Sequence, residues 1–98
     1  MDLLLNHIEF VFDQEKEQKL IRERNISFKE IIKAIASGAL IDVINNPSSK
    51  YMYQKVYVIE LRRFIYLVPF VMENNKVFLK TIYPSRKAVK KYLNRKWI

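Results

Sequence analysis

The stretch KVYVIELRRFIYLVPFVMENNKVFLKTIY, running from Lys55 to Tyr83, decides the fold. Its β-branched and aromatic residues suit pleated strands, and turn residues divide it into three. Lys55–Leu61 alternates, with Lys55, Tyr57, Ile59 and Leu61 on one face and Val56, Val58 and Glu60 on the other. Arg62-Arg63 is placed for a tight turn, without the usual Asn-Gly pair. Phe64–Met72 is almost wholly apolar and reads as a central strand. Pro69 has no N–H for the ladder, so a bulge or an unpaired edge is expected beside it. Glu73-Asn74-Asn75 is a second turn, followed by a strand over Lys76–Tyr83. Strict alternation there puts Lys76, Phe78, Lys80 and Ile82 on one face and Val77, Leu79, Thr81 and Tyr83 on the other.

Upstream, Ile8–Phe12 reads as a short strand. Asp13 then caps a highly charged helix to about Arg24, with Glu15 and Glu17 in its first turn and cations in its last. Ser27-Phe28-Lys29-Glu30 is a capping box, opening a helix from Phe28 to Ser37. Phe28, Ile31, Ile32 and Ile35 make its buried face, and Gly38 stands where a left-handed residue ends a helix. Leu40–Ile44 is another strand, and Asn45–Ser49 is turn chemistry. Downstream, Ser85 caps a final helix from Arg86 to about Arg95. The order β-α-α-β-β-β-β-α predicts one α+β domain over residues 1–98, with helices packed on one face of an antiparallel sheet of four to five strands. Residues 1–7 lie outside the pattern.

Composition narrows the chemistry. A chain of 98 residues, 50% of them hydrophobic, builds a single core. With no Cys, disulfide frameworks, thiolate catalysis and Cys-based zinc sites are excluded. A single His, His7, leaves no poly-His metal centre, and a single Gly leaves no phosphate-binding glycine loop. Leu3–Leu5 is too short for a secretory signal, and the nine-residue run Phe64–Met72 falls well below the roughly 20 residues of a membrane-spanning helix. A cytoplasmic protein without membrane contact is expected.

Charge supplies the functional clue. The net charge is +8, yet residues 1–75 carry ten basic and ten acidic side chains. The whole excess therefore sits in residues 76–98: Lys76, Lys80, Arg86, Lys87, Lys90, Lys91, Arg95 and Lys96, with no acid among them. A merely soluble helix usually balances its cations with i, i+4 acids. An unbalanced patch suits an anionic partner, nucleic acid or an acidic protein and less readily a membrane surface, and tyrosines such as Tyr51, Tyr53, Tyr57, Tyr66 and Tyr83 offer surfaces for base stacking. The bland alternative is a solvated cationic face.

Two segments resemble a known family. Phe10-Val11-Phe12-Asp13-x-x-Lys16 with Arg22-Glu23-Arg24-Asn25-Ile26-Ser27-Phe28-x-Glu30 resembles the opening of BrnT-like toxins. Leu67-Val68-Pro69-Phe70-Val71 and Leu79-Lys80-Thr81-Ile82-Tyr83-Pro84-Ser85-Arg86-Lys87-Ala88 resemble the family's last strand and its run into the final helix. Asn25 replaces the family's Gly and Phe12 its usual Trp, while Arg24 stands where one form of the family has His, as it does in one branch. The resemblance implies a RelE-like fold and the toxin half of a type II toxin–antitoxin pair. It implies a metal-independent endoribonuclease that inhibits translation and needs no cofactor. The expected substrate is RNA, free or on the ribosome, and the expected partner is a ribbon-helix-helix antitoxin, through which alone the pair binds operator DNA. By this resemblance Lys55, Lys80 and Arg86 are the catalytic cations. Arg24, Tyr53, Tyr83, Lys87, Lys90 and Lys91 are expected, from charge and stacking, to contact RNA. The general base is left among Glu23, Glu60 and a tyrosine. The competing expectation is a non-catalytic basic module that binds RNA, the ribosome or DNA.

Overall fold

The computed structural model describes residues 8–93. His7, Arg95, Lys96, Trp97 and Ile98 fall outside them. The elements follow the expected order: β1 (Glu9–Val11), α1 (Gln14–Arg24), α2 (Phe28–Ala36), β2 (Leu40–Asn45), a 3-10 turn (Ser49–Tyr51), β3 (Lys55–Leu61), β4 (Phe64–Glu73), β5 (Lys76–Leu79), β6 (Tyr83–Pro84) and α3 (Arg86–Tyr92).

Local chemistry accounts for the boundaries. The Asp13 carboxylate accepts from Glu15 N–H at the start of α1. Asn25 ends that helix with φ 54°, a left-handed position that Asn tolerates. Both arms of the capping box at Ser27 and Glu30 are made. Gly38 sits at φ 92° just past α2. Arg62 and Arg63, at φ 56° and 62°, join β3 to β4 in a two-residue turn of the left-handed type. Arg62 is anchored there by donating to the Asn25 carbonyl and pairing with Glu30.

The strands lie in the order β1-β5-β4-β3-β2, with β6 also on β4. The sheet is mixed rather than antiparallel, because β1 runs parallel to β5, with Glu9 opposite Lys76 and Val11 opposite Phe78. Two helices and three strands intervene between β1 and β5, a connection long enough for parallel pairing.

Helices cover both faces, not one. Tyr57 and Ile59 of β3 and Val68 and Phe70 of β4 pack with Leu20 of α1 and with Phe28, Ile31, Ala34 and Ile35 of α2. The alternate residues Val58 and Ile65 pack with Ala88 and Leu93 at α3. Phe28 is fully buried and stacks on Phe12 with ring centroids 5.1 Å apart. Burying such a side chain stabilises the fold by about 1.5–3 kcal/mol. Glu17, expected to serve its own helix, is instead buried, and its Oε1 accepts from Phe28 N–H at 2.6 Å. It thus satisfies the first free amide of α2.

Pro69 has the predicted consequence. Lys80 N–H donates to the Pro69 carbonyl at 2.9 Å, but proline has no N–H to return the bond. There the strand breaks. β5 pairs Phe70 with Leu79, while β6 pairs Leu67 with Tyr83, so one extra residue lies between them. The bulge reverses the alternation. Ile82 therefore joins Val77 and Leu79 in the core, and does not share the outer face of Phe78 and Lys80.

Candidate nucleic-acid interface

The bulge and the start of α1 together build the most cationic recess formed by separate elements. α1 begins next to the sheet edge that β1 has just left, so Lys16 in its first turn comes beside Lys80. The two lysines line two adjoining clefts. One, of about 430 Å³, also carries Phe12, Asp13 and Phe78. The other, of about 420 Å³, carries Tyr51, Gln54 and Tyr83, with Asn46, Ser48, Pro69 and Thr81 completing its wall. Lys16 and Lys80 thus stand at the waist of a groove, with aromatic rings to either side.

Each side chain has a local reason for its place. Lys80 opens the bulge, is exposed, and lies with its Nζ 5.8 Å from the Phe78 ring centroid. Tyr83 follows the bulge, which turns it toward the Lys80 side. The segment Asn46–Gln54 is closed on itself by Asn46 N–H to the Gln54 carbonyl at 3.1 Å and Gln54 N–H to the Tyr51 carbonyl at 2.8 Å. This holds Tyr51 and Gln54 at the cleft. Gln54 is a buried polar residue, 7% exposed.

The other expected site residues divide. Arg24 donates to the Ile82 carbonyl. It therefore braces the bulge from the end of α1 and satisfies a backbone group that the ladder cannot. Lys55 is not brought to Lys80. It pairs with Phe70 and Asn45, on the sheet face of Tyr57. Its Nζ donates to Asn45 Oδ1 at 3.1 Å. With Tyr53 it borders a separate, largely apolar recess over the stacked Tyr57 and Phe70 rings. Burial pushes the Tyr57 phenol above its ordinary pKa. Arg86, Lys87, Lys90 and Lys91 are exposed on α3, outside the groove, while Ala88 packs inward. Of the expected bases, Glu60 lines a cavity with Arg62 and Arg63, and Glu23 is exposed on α1. Only tyrosines reach the Lys80 cleft.

Lys16 and Gln54 were missed. Lys16 stood in the Asp13-x-x-Lys16 motif, but its partner is 64 positions away in sequence. Gln54 carried no signal beyond polarity at the start of a strand. Among the described residues, no group of three or more Asp, Glu or His is gathered as metal binding requires. No described helix is long and apolar enough to cross a membrane. Comparisons with protein-family models, curated proteins and solved structures find no match.

Proposed function

We propose that this chain is the toxin of a type II toxin–antitoxin pair: a cytoplasmic, RelE-like, metal-independent endoribonuclease neutralised by a ribbon-helix-helix antitoxin. The observation that carries the proposal is the groove with Lys16 and Lys80 at its waist and Tyr51 and Tyr83 on its wall. A single RNA strand needs cations along its backbone and rings for its bases, and this groove offers both. In the reaction the 2′-oxygen attacks phosphorus and gives up its proton. The P–O5′ bond breaks, and the leaving oxygen takes a proton. The products are a 2′,3′-cyclic phosphate and a 5′-hydroxyl. Lys16 and Lys80 supply positive charge for the pentavalent phosphorane. In the groove the Tyr51 and Tyr83 hydroxyls, the two lysines and the Asp13 carboxylate are the groups able to carry a proton. The cations of α3 lie outside it and suit longer RNA or an acidic partner.

Expression should arrest growth, and co-expression of the adjacent ribbon-helix-helix gene should relieve the arrest. Purified protein should cut RNA in EDTA, and Lys16→Ala and Lys80→Ala should each slow cutting by about 10²–10³-fold. One feature favours the non-catalytic reading: the residues lining the Tyr51–Tyr83 cleft include no carboxylate and no imidazole. Salt-dependent binding that needs Lys80, with no cleavage under any condition, would decide for that reading.

A further inference from the structure

We propose that the open end of the sheet beside β2 docks a partner protein, through a segment that sets a carboxylate next to apolar side chains. This does not depend on the RNA-binding role. The surface is the recess of about 360 Å³ over the stacked Tyr57 and Phe70 rings, with Val43, Tyr53 and Met72 as its walls and Lys55 at its border. β2 is the last strand on that side of the sheet. Elsewhere on this face α1 and α2 cover the strands, but no residue of either helix lines the recess. The walls stand out into solvent: Val43 is 44% exposed, Met72 52% and Tyr53 66%. Single exposed apolar residues are ordinary, whereas a cluster of them around one recess marks an interaction site.

The form of the rim selects a macromolecule. A small molecule on the Tyr57–Phe70 floor would leave these walls wet, and small-molecule sites bury most of their ligand's surface. The charge then selects a protein. Among the residues lining the recess Lys55 alone is charged, and a lone cation does not hold a phosphate backbone. Tyrosine and methionine around an apolar centre are instead the composition of protein interfaces. Lys55 spends one of its N–H donors on Asn45 Oδ1, at 3.1 Å, and no carboxylate lines the recess to pair with it. A carboxylate on the partner fills that place and fixes the register, while its apolar neighbours cover Val43, Tyr53 and Met72. A second copy of this chain suits the place poorly, because each copy carries a net charge of +8.

The test pans a displayed library of random dodecapeptides on the full chain, with counter-selection on Val43→Asp, at about 0.15 M salt to screen exposed charges. The enriched peptides should share an acidic residue beside aliphatic or aromatic ones. The synthetic consensus peptide should bind Lys55→Glu and Val43→Asp each at least about tenfold more weakly than wild type, by fluorescence anisotropy. Lys90→Glu makes the same charge change on α3 and should bind within about twofold of wild type, because a distant exposed charge is screened. A thermal melt checks that each variant folds, and Lys55→Glu, at an exposed position, serves if Val43→Asp does not. Failure to enrich any peptide, a consensus without an acid, or equal loss in Lys55→Glu and Lys90→Glu overturns the proposal. So does a wild-type dimer in sedimentation that Lys55→Glu or Val43→Asp alters, which makes the occupant a second copy. A chain that binds no RNA leaves this inference standing.

Discussion

Lys55 and Lys80 both sit on strands beside aromatic residues, and the sheet puts them on opposite faces. The Lys55 face continues the core of α1 and α2, and its open end is apolar: Tyr57 and Phe70 stack at 4.0 Å below Val43 and Met72. The Lys80 face is polar and doubly cationic at the groove, because a proline forces a bulge there and α1 brings a second lysine. One face holds the larger buried cluster, and the other opens on the cleft that Lys16 and Lys80 line. The lesson is that a cation's place in a strand says little until its register is known.

Phe28→Ala should lower unfolding free energy by about 3–5 kcal/mol, measured by denaturant titration. A loss under about 1 kcal/mol would mean that the helical face is not the main core. Next in size is Glu17. Glu17→Ala leaves the Phe28 amide buried without its acceptor and should cost about 1–3 kcal/mol. Glu17→Gln keeps an acceptor and should cost less.

Tyr57 sharpens the difference in pH. Its folded pKa is raised, so the folded state holds this proton more tightly than the unfolded state, whose phenol ionises near 10. The stability from this group is fully present below about pH 10 and is lost as pH rises through the folded pKa. Tyr57→Phe should therefore gain on the wild type as pH passes about 10, in paired melts at pH 8 and above 10. Smallest is the turn: Arg63→Gly relieves a left-handed residue and should stabilise by up to about 1 kcal/mol in the same titration.

The local features were legible because their causes are local. The capping box, Asn25, Gly38 and the two-residue turns each act within a few residues of sequence. Even the separation of Lys55 from Lys80 was open to counting. The turn at Arg62-Arg63 places Lys55 opposite Phe70, and the turn at Asn74-Asn75 places Phe70 opposite Leu79, so Lys80 must face the other way. The bulge at Pro69 was foreseen, but not its reversal of the Ile82 and Tyr83 faces. The parallel pairing of β1 with β5, and with it Lys16 beside Lys80, depends on a long-range contact that no local pattern carries. The same holds for Arg24, whose charge suggested RNA and whose guanidinium instead serves the Ile82 carbonyl.

The most direct measurement compares Lys80→Ala with Lys55→Ala for cleavage of a labelled RNA in EDTA. The groove account predicts a fall of about 10²–10³-fold for Lys80→Ala, the scale of losing one group that stabilises transition-state charge, and a change within about twofold for Lys55→Ala. Equal losses in both variants, or a loss in Lys55→Ala alone, would contradict it.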